Sequence, residues 1–241
     1  MPCIAPDFLW GLIISTPLTI FTSIRYRVFL SQQSRLEGVI DNRTLTYEDN
    51  VQIVRTFICQ YKHYDEFAPQ GENTLFQALI KALKNAKNFI YIEDQYFILV
   101  PELLDASGGY EKYLFDMIAP IQKLYPNKFQ IYTTKSSLNL YIHTKLVIID
   151  DVFVTVSSAN WNRRSMTSDS EMAANIIDED SVDSPDGVTV LRTARDFRIR
   201  KFHEMTGLSY DELDAMTIIE AANQLDTAAA DKSSIIEAFL Q

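Results

Sequence analysis

The stretch LYIHTKLVIIDDVFVTVSSANWNRRS, Leu140 to Ser165, holds reactive residue types at short, regular intervals. His143 supplies an imidazole that titrates near neutrality, and Lys145, two residues on, supplies a fixed cation. Read as a strand, the segment projects residues two apart from one face, so the two side chains point together. The same parity sends Asp150 to the other face or into a turn, where it holds a hairpin rather than touching substrate. Ser158 and Asn160 are again two apart, at the end of the next β-prone run, and offer a hydroxyl and an amide. Together with Lys145 they are suited to phosphate oxygens. Glu171 is placed to accept a hydrogen bond from one nitrogen of His143, which would fix the tautomer and support the charged ring. With three His, eleven Lys and nineteen Asp in the chain, a chance His-x-Lys-x4-Asp match is about one in a hundred, before Ser158, Asn160 and Glu171 are required.

These residues need a scaffold, and the flanking patterns describe one. Thr74 and Gln77 have capping-box spacing, and Leu75, Leu79, Leu83 and Ala86 then recur at helical intervals, which predicts a helix to about Asn88. It feeds into a buried strand, Phe89 to Ile92. A second helix is expected between Glu111 and Lys123, then a strand from Phe129 to Thr133. Two β-prone runs flank Asp150 and Asp151 and predict a hairpin turning at that pair. A strand is expected over Glu171 to Asp178, and an acidic solvated loop over Ser181 to Gly187. Helices are expected from Val190 to Met205, after the Ser209 and Glu212 capping box, and near Ser234 to Leu240. The fold class is therefore α/β, a mixed β-sheet flanked by helices with a helical C-terminal extension. No internal repeat is visible.

Composition bounds the function. The 241 residues carry 22 Lys plus Arg against 32 Asp plus Glu, a net charge of −10. With hydrophobic residues at 47% and charged residues at 22% the composition is that of an ordinary globular protein, and at roughly 150 residues per domain the length fits one or two domains. The acidity disfavours nucleic acid as a partner, because phosphate-backbone affinity comes from Lys and Arg. Arg192, Arg195, Arg198, Arg200 and Lys201 cluster locally and are expected to form a solvated helix face rather than a lipid-headgroup site. Arg163 and Arg164 are expected to present one guanidinium inward and one to solvent. Two cysteines, Cys3 and Cys59, make no disulfide framework or zinc motif. Phe8 to Ile24 is seventeen residues without a charge. Asp7 before it, Pro17 within it and Arg25 and Arg27 after it argue against a secretory signal, so a buried or poorly ordered segment is expected, with a membrane anchor as the alternative.

HTKLVIID, six further residues and SSAN resemble the phospholipase D superfamily signature, His-x-Lys-x4-Asp-x6-Gly-Ser-x-Asn. In that register His143, Lys145 and Asp150 match the triad, Ser158 and Asn160 the phosphate-side pair, and Glu171 in SDSEMA the downstream acid. GENTLFQALIKALKNAKNFIYIEDQYF, Gly71 to Phe97, is similar to the segment before the second signature of eukaryotic-type phospholipases D, and ARDFRIRKFHEMTG, Ala194 to Gly207, to the helix after it. The resemblance runs from about Val51 to Leu208. It divides the chain into an unassigned segment 1–50, a phospholipase D-like half-domain 51–208 and a helical extension 209–241. Two features depart from the pattern. Ser157 stands where the signature has Gly, either narrowing the phosphate pocket or tolerated in extended backbone. And the family brings two signatures together, whereas this chain has one: neither His63 nor His203 has Lys two residues later.

The resemblance implies cleavage of a phosphodiester, foremost the distal bond of a phosphatidylcholine-like glycerophospholipid, giving phosphatidic acid and an alcohol. His143 would be the general acid, and in a symmetric homodimer also the nucleophile of the other subunit. Lys145 and Asn160 would stabilise the nonbridging oxygens, assisted by Ser158, and Glu171 would orient His143. No cofactor or metal is required. Glu93 and Asp94 should point to opposite faces, leaving Glu93, Gln95 and Tyr96 as pocket-lining or structural residues. The implied partner is phospholipid at a membrane surface, with a cytoplasmic or peripheral-membrane location favoured. The second imidazole would come from a homodimer or from an N-terminal half carrying the first signature; the alternatives are a non-catalytic or partner-dependent C-terminal half of a two-signature phospholipase D, and a phospholipase D-like nuclease.

Overall fold

The computed structural model describes residues 51–58, 69–95, 120, 123, 124, 128–177 and 179–239. The Phe8 to Ile24 run, both cysteines, His63, Tyr96 and most of the helix expected between Glu111 and Lys123 lie outside them. Strands are β1 Val51–Thr56, β2 Ile90–Glu93, β3 Tyr132–Thr134, β4 Leu146–Ile149, β5 Phe153–Ser157, β6 Glu171–Ile176, β7 Ser181–Asp183, β8 Thr189–Leu191 and β9 Ile236–Ala238. Helices are α1 Thr74–Asn85, α2 Arg163–Thr167, α3 Arg192–Thr206, α4 Tyr210–Asp214 and α5 Ile218–Ala230. The α/β architecture is as expected: a five-stranded sheet in the order β1-β6-β5-β4-β2, flanked by helices. Every described pairing in it is antiparallel.

Alternation along β4 explains the layering. Val147 and Ile149 join Phe153, Val54 and Ala173 on one face, against Leu75, Ala78, Leu79 and Ala82 of α1. Leu146 and Ile148 join Val154 on the other, against Ile199 and Phe202 of α3 and Leu213, Ala221 and Leu225 of α4 and α5. A strand buried on both faces reads as the unbroken apolar run LVII, and all four residues are buried. Helices α4 and α5, from the segment after residue 208, thus share a core with the sheet.

Several boundaries differ from expectation, each for a local reason. Asn73, not Thr74, caps α1, and the Gln77 side-chain amide donates to Asn73 Oδ1 at 2.7 Å. The Thr74 hydroxyl is engaged with Glu72 Oε1 (2.7 Å) and with the Arg55 amide (3.0 Å). The helix ends at Asn85 because the amides of Lys87, Asn88 and Phe89 turn to Asp150. The strand expected at Phe129 to Thr133 begins at Tyr132, and the one at Glu171 ends at Ile176. The expected acidic loop opens with β7, which pairs with β8, and the chain turns between them. The helix expected near Ser234 is instead β9, whose backbone pairs with β3. The Ser209 and Glu212 capping box is present, and Thr217 with Glu220 makes a second that the sequence reading missed.

The hairpin turns at the aspartate pair. Asp150 (φ 54) and Asp151 (φ 51) both lie in the left-handed region, which Asp tolerates better than most residues, and Val152 N donates to Ile149 O at 2.9 Å. Asp151 is buried against α3, where Arg198 Nε and Nη2 donate to its carboxylate at 2.7–2.9 Å. Arg195 binds Asp214 and approaches Asp151 at 3.8 Å. This corrects the solvated basic face: Arg195 and Arg198 fall on the same helical stripe as Ile199 and Phe202 and are 3% and 0% exposed. Burial alone would lower the Arg198 pKa, but Asp151 outweighs it and the net shift is upward. Lys201 pairs with Glu93 and Glu204. Arg192 and Arg200 are exposed.

Candidate active site

The hairpin sets the site. Asp150 accepts three backbone N–H bonds, from Lys87 (2.7 Å), Asn88 (2.8 Å) and Phe89 (2.8 Å), so it ties the turn to the start of β2. Burial raises its carboxyl pKa, and the three amides oppose that rise. Asp150 is therefore in the turn, as its parity required, and away from any exposed surface.

His143 and Lys145 precede β4 rather than lying within a strand. They are joined differently from the expected parallel projection: Lys145 Nζ folds back to His143 O at 2.8 Å and also donates to Gln95 Oε1 at 2.9 Å. An ammonium has three donors, and the described residues engage two of them, which leaves one for a ligand. Lys145 is 4% exposed. Its desolvation lowers the pKa, while the nearby carboxylates of Asp94 and Glu171 raise it, and the net shift is downward. His143 is exposed, and its ring stacks on Tyr141 with centroids 6.0 Å apart and planes 18° apart. The Gln95 amide donates to the Tyr141 hydroxyl. Lys145, Gln95, Tyr141 and His143 thus form one linked cluster.

Glu171 opens β6 as expected, but its hydrogen-bond partner is Ser158 Oγ rather than His143. Register is the reason. Beyond the Ser157–Ala173 pair of β5 and β6, Ser158 N donates to Met172 O (2.9 Å) and Met172 N to Ser158 Oγ (3.0 Å), which sets that hydroxyl against Glu171. Ser158 is exposed, while Asn160 is half-buried with its Oδ1 enclosed and without a hydrogen-bond partner among the described residues. Ser157 is the last residue of β5 in extended backbone, and its hydroxyl accepts from Ala159 N at 2.8 Å. Of the two readings of that departure, the extended strand is the one seen.

Glu93 and Asp94 diverge as predicted. Glu93 accepts from Tyr91 Oη (2.9 Å) and pairs with Lys201 (3.2 Å) towards α3. Asp94 Oδ2 accepts from Trp161 N at 2.9 Å, fastening the end of β2 to the segment that carries Asn160. Burial first, and Glu93 second, hold the Tyr91 phenol well above its ordinary range. Arg164 is exposed and pairs with Asp169 at 3.1 Å; the Arg163 side chain lies outside the described part. Sequence reasoning missed the roles of Tyr141 and Asp94. The Tyr-x-His spacing on an extended segment was the available signal for the first.

Known proteins share this arrangement of sequence. A family model described as the PLD-like domain of cardiolipin synthase matches residues 114–186, which include all six predicted site residues. The chain is similar to mouse phospholipase D1, 26% identical over 58% of this chain and 20% of that protein. It is also similar to cardiolipin synthase 2 from two strains of Staphylococcus epidermidis, 30% identical over 42% of this chain and 23% of each relative. The chain therefore spans about a fifth to a quarter of the length of these relatives. A signature in register on an antiparallel hairpin, a sheet layered between helices and likenesses to two kinds of phospholipid enzyme agree: over residues 114–186 the chain is similar to the phospholipase D superfamily.

Proposed function

We propose that the chain carries phosphodiester chemistry of the phospholipase D type, acting on phosphatidylcholine-like glycerophospholipids at a membrane surface through His143. The observation that supports it is the buried Lys145 ammonium tethered to the backbone carbonyl of His143, whose imidazole is exposed, with one N–H left over among the described residues for a nonbridging phosphate oxygen. In this reading a nucleophilic imidazole forms an N–P bond while the P–O bond to the headgroup alcohol breaks. His143 passes its proton to the departing oxygen, then takes one from water as hydroxide attacks phosphorus and breaks the N–P bond, releasing phosphatidic acid. Lys145, helped by the Asn160 amide, stabilises the charge that builds on the nonbridging oxygens. Ser158 joins them only by exchanging its bond to Glu171.

The nucleophile comes from a second phospholipase D-like half, either another copy of this chain or a partner bearing the other signature. A lipid alcohol in place of water would make the same site a transferase, and the likeness to cardiolipin synthase 2 favours that as a second reading. A net charge of −10 weighs against a nuclease. No helix among the described residues is long and apolar enough to cross a membrane; the proposed location, cytoplasmic or peripheral to a membrane, rests on the lipid reading.

The test is turnover of phosphatidylcholine vesicles by the purified chain and by His143→Ala, with mass by light scattering on the same samples. Turnover abolished in the variant, at dimer mass, supports a self-complementing enzyme. A folded, inactive monomer requires the partner half. DNA nicking without lipid turnover would reject the lipid reading.

A further inference from the structure

From Ser136 to Thr144 the chain, SSLNLYIHT, has no residue that is charged at neutral pH other than a protonated His143. Three large apolar side chains within four positions stand out to solvent: Leu138 is 45% exposed, Leu140 48% and Tyr141 73%. Water-facing apolar groups gathered this tightly mark an interaction surface rather than scattered surface leucines.

The tip is shaped. A short 3-10 turn, Ser136–Leu138, ends at Asn139 in the left-handed conformation (φ 48), and Leu138 N and Asn139 N are bonded back to Lys135 O (3.0 Å) and Ser136 O (3.2 Å). The cation that precedes it in the chain points away: Lys135 Nζ donates to Asp231 O (2.5 Å) and Ser234 O (2.8 Å) beside β9. Tyr141, the last apolar residue of the tip, stacks on His143 and accepts from the Gln95 amide that also bridges to Lys145. Whatever the tip enters is therefore brought against the candidate catalytic imidazole.

We propose that Leu138, Leu140 and Tyr141 form a docking tip that inserts into the interfacial layer of a phospholipid bilayer and presents the headgroup phosphate to His143 and Lys145. The inference rests on the lipid reading of the site. Area favours a bilayer over a second protein: the three side chains offer roughly 300 Å², against the 1,200 Å² or more of a specific protein interface. Chemistry agrees, since two leucines followed by a tyrosine match the apolar-to-polar depth profile of the headgroup boundary. With no cation on the tip, docking depends on buried apolar area and is insensitive to salt and to anionic lipid.

The experiment compares the full chain with Leu138→Ser/Leu140→Ser in two assays: co-sedimentation with phosphatidylcholine vesicles, and turnover of those vesicles against turnover of bis-nitrophenyl phosphate, a soluble diester. The expected result is a loss of vesicle affinity of at least about tenfold, with vesicle turnover falling much further than soluble-diester turnover. Unchanged sedimentation, or equal loss on the two substrates, overturns the proposal. So does conversion of a dimer to a monomer by the two substitutions, which would make the tip a contact between copies. A chain that turns over neither substrate, yet loses vesicle binding with the two leucines, rejects turnover by this chain alone and upholds the docking tip.

Discussion

Asp151 and Arg198, 47 residues apart, meet in the core through three hydrogen bonds of 2.7–2.9 Å. The pair seats the β4–β5 hairpin on α3, with Arg198 stacked over Phe202 at 5.6 Å. Replacing Arg198 by Met strips three hydrogen bonds from a buried carboxylate and leaves it the Arg195 guanidinium at 3.8 Å, so it should cost about 3 kcal/mol of stability. Arg198→Met/Asp151→Asn should be less destabilised than Arg198→Met alone, because no buried charge is left uncompensated. Urea unfolding of both variants reads the difference.

Asp150→Ala removes the acceptor of three backbone amides at the entry to β2. A loss of about 3 kcal/mol is expected, at 1–3 kcal/mol for each donor left unsatisfied with partial relief from water. Asp150→Asn keeps one acceptor oxygen and should lose less. If Asp150 acted on substrate, Asn would abolish turnover at unchanged stability; the turn role predicts that turnover follows the folded fraction.

Gln95 links the two ends of the candidate site, accepting from Lys145 and donating to Tyr141. Gln95→Ala frees the ammonium to sample other rotamers. Turnover should fall about tenfold, or 1.4 kcal/mol of transition-state stabilisation, with a smaller change in KM. Steady-state kinetics on vesicles separates the two.

Lys145 sets a pH limit. Desolvation holds its pKa below the ordinary 10.5, against the opposing pull of Asp94 and Glu171. The phosphate-binding form is the protonated one, so activity should be full below the lowered value and disappear as pH rises through it. Glu171→Gln removes a charge that supports the ammonium and should move this alkaline limb to lower pH still. A pH–rate profile that kept its limb in place would remove Glu171 from the electrostatics of Lys145.

Local signals were legible where a pattern is repeated within a few residues. Leu75 and Leu79 announced α1, LVII announced a strand buried on both faces, and two aspartates between β-prone runs announced the turn. The helix expected near Ser234 failed because Ile236–Ala238 takes its hydrogen bonds from β3, a hundred residues earlier, which no local pattern reports. The basic cluster failed for a related reason. Charge predicts solvent, but Arg195 and Arg198 lie on the stripe facing Asp151, and pairing permits their burial.

Residue type and spacing by themselves determined the likeness to the phospholipase D signature and the turn at Asp150 and Asp151, since strand parity and turn chemistry act over a few bonds. Tertiary structure decided the partners: Ser158 rather than His143 for Glu171, Gln95 for Lys145 and Arg198 for Asp151. These are choices among polar groups far apart in the chain, settled by strand register and by which groups burial leaves in need of a hydrogen bond.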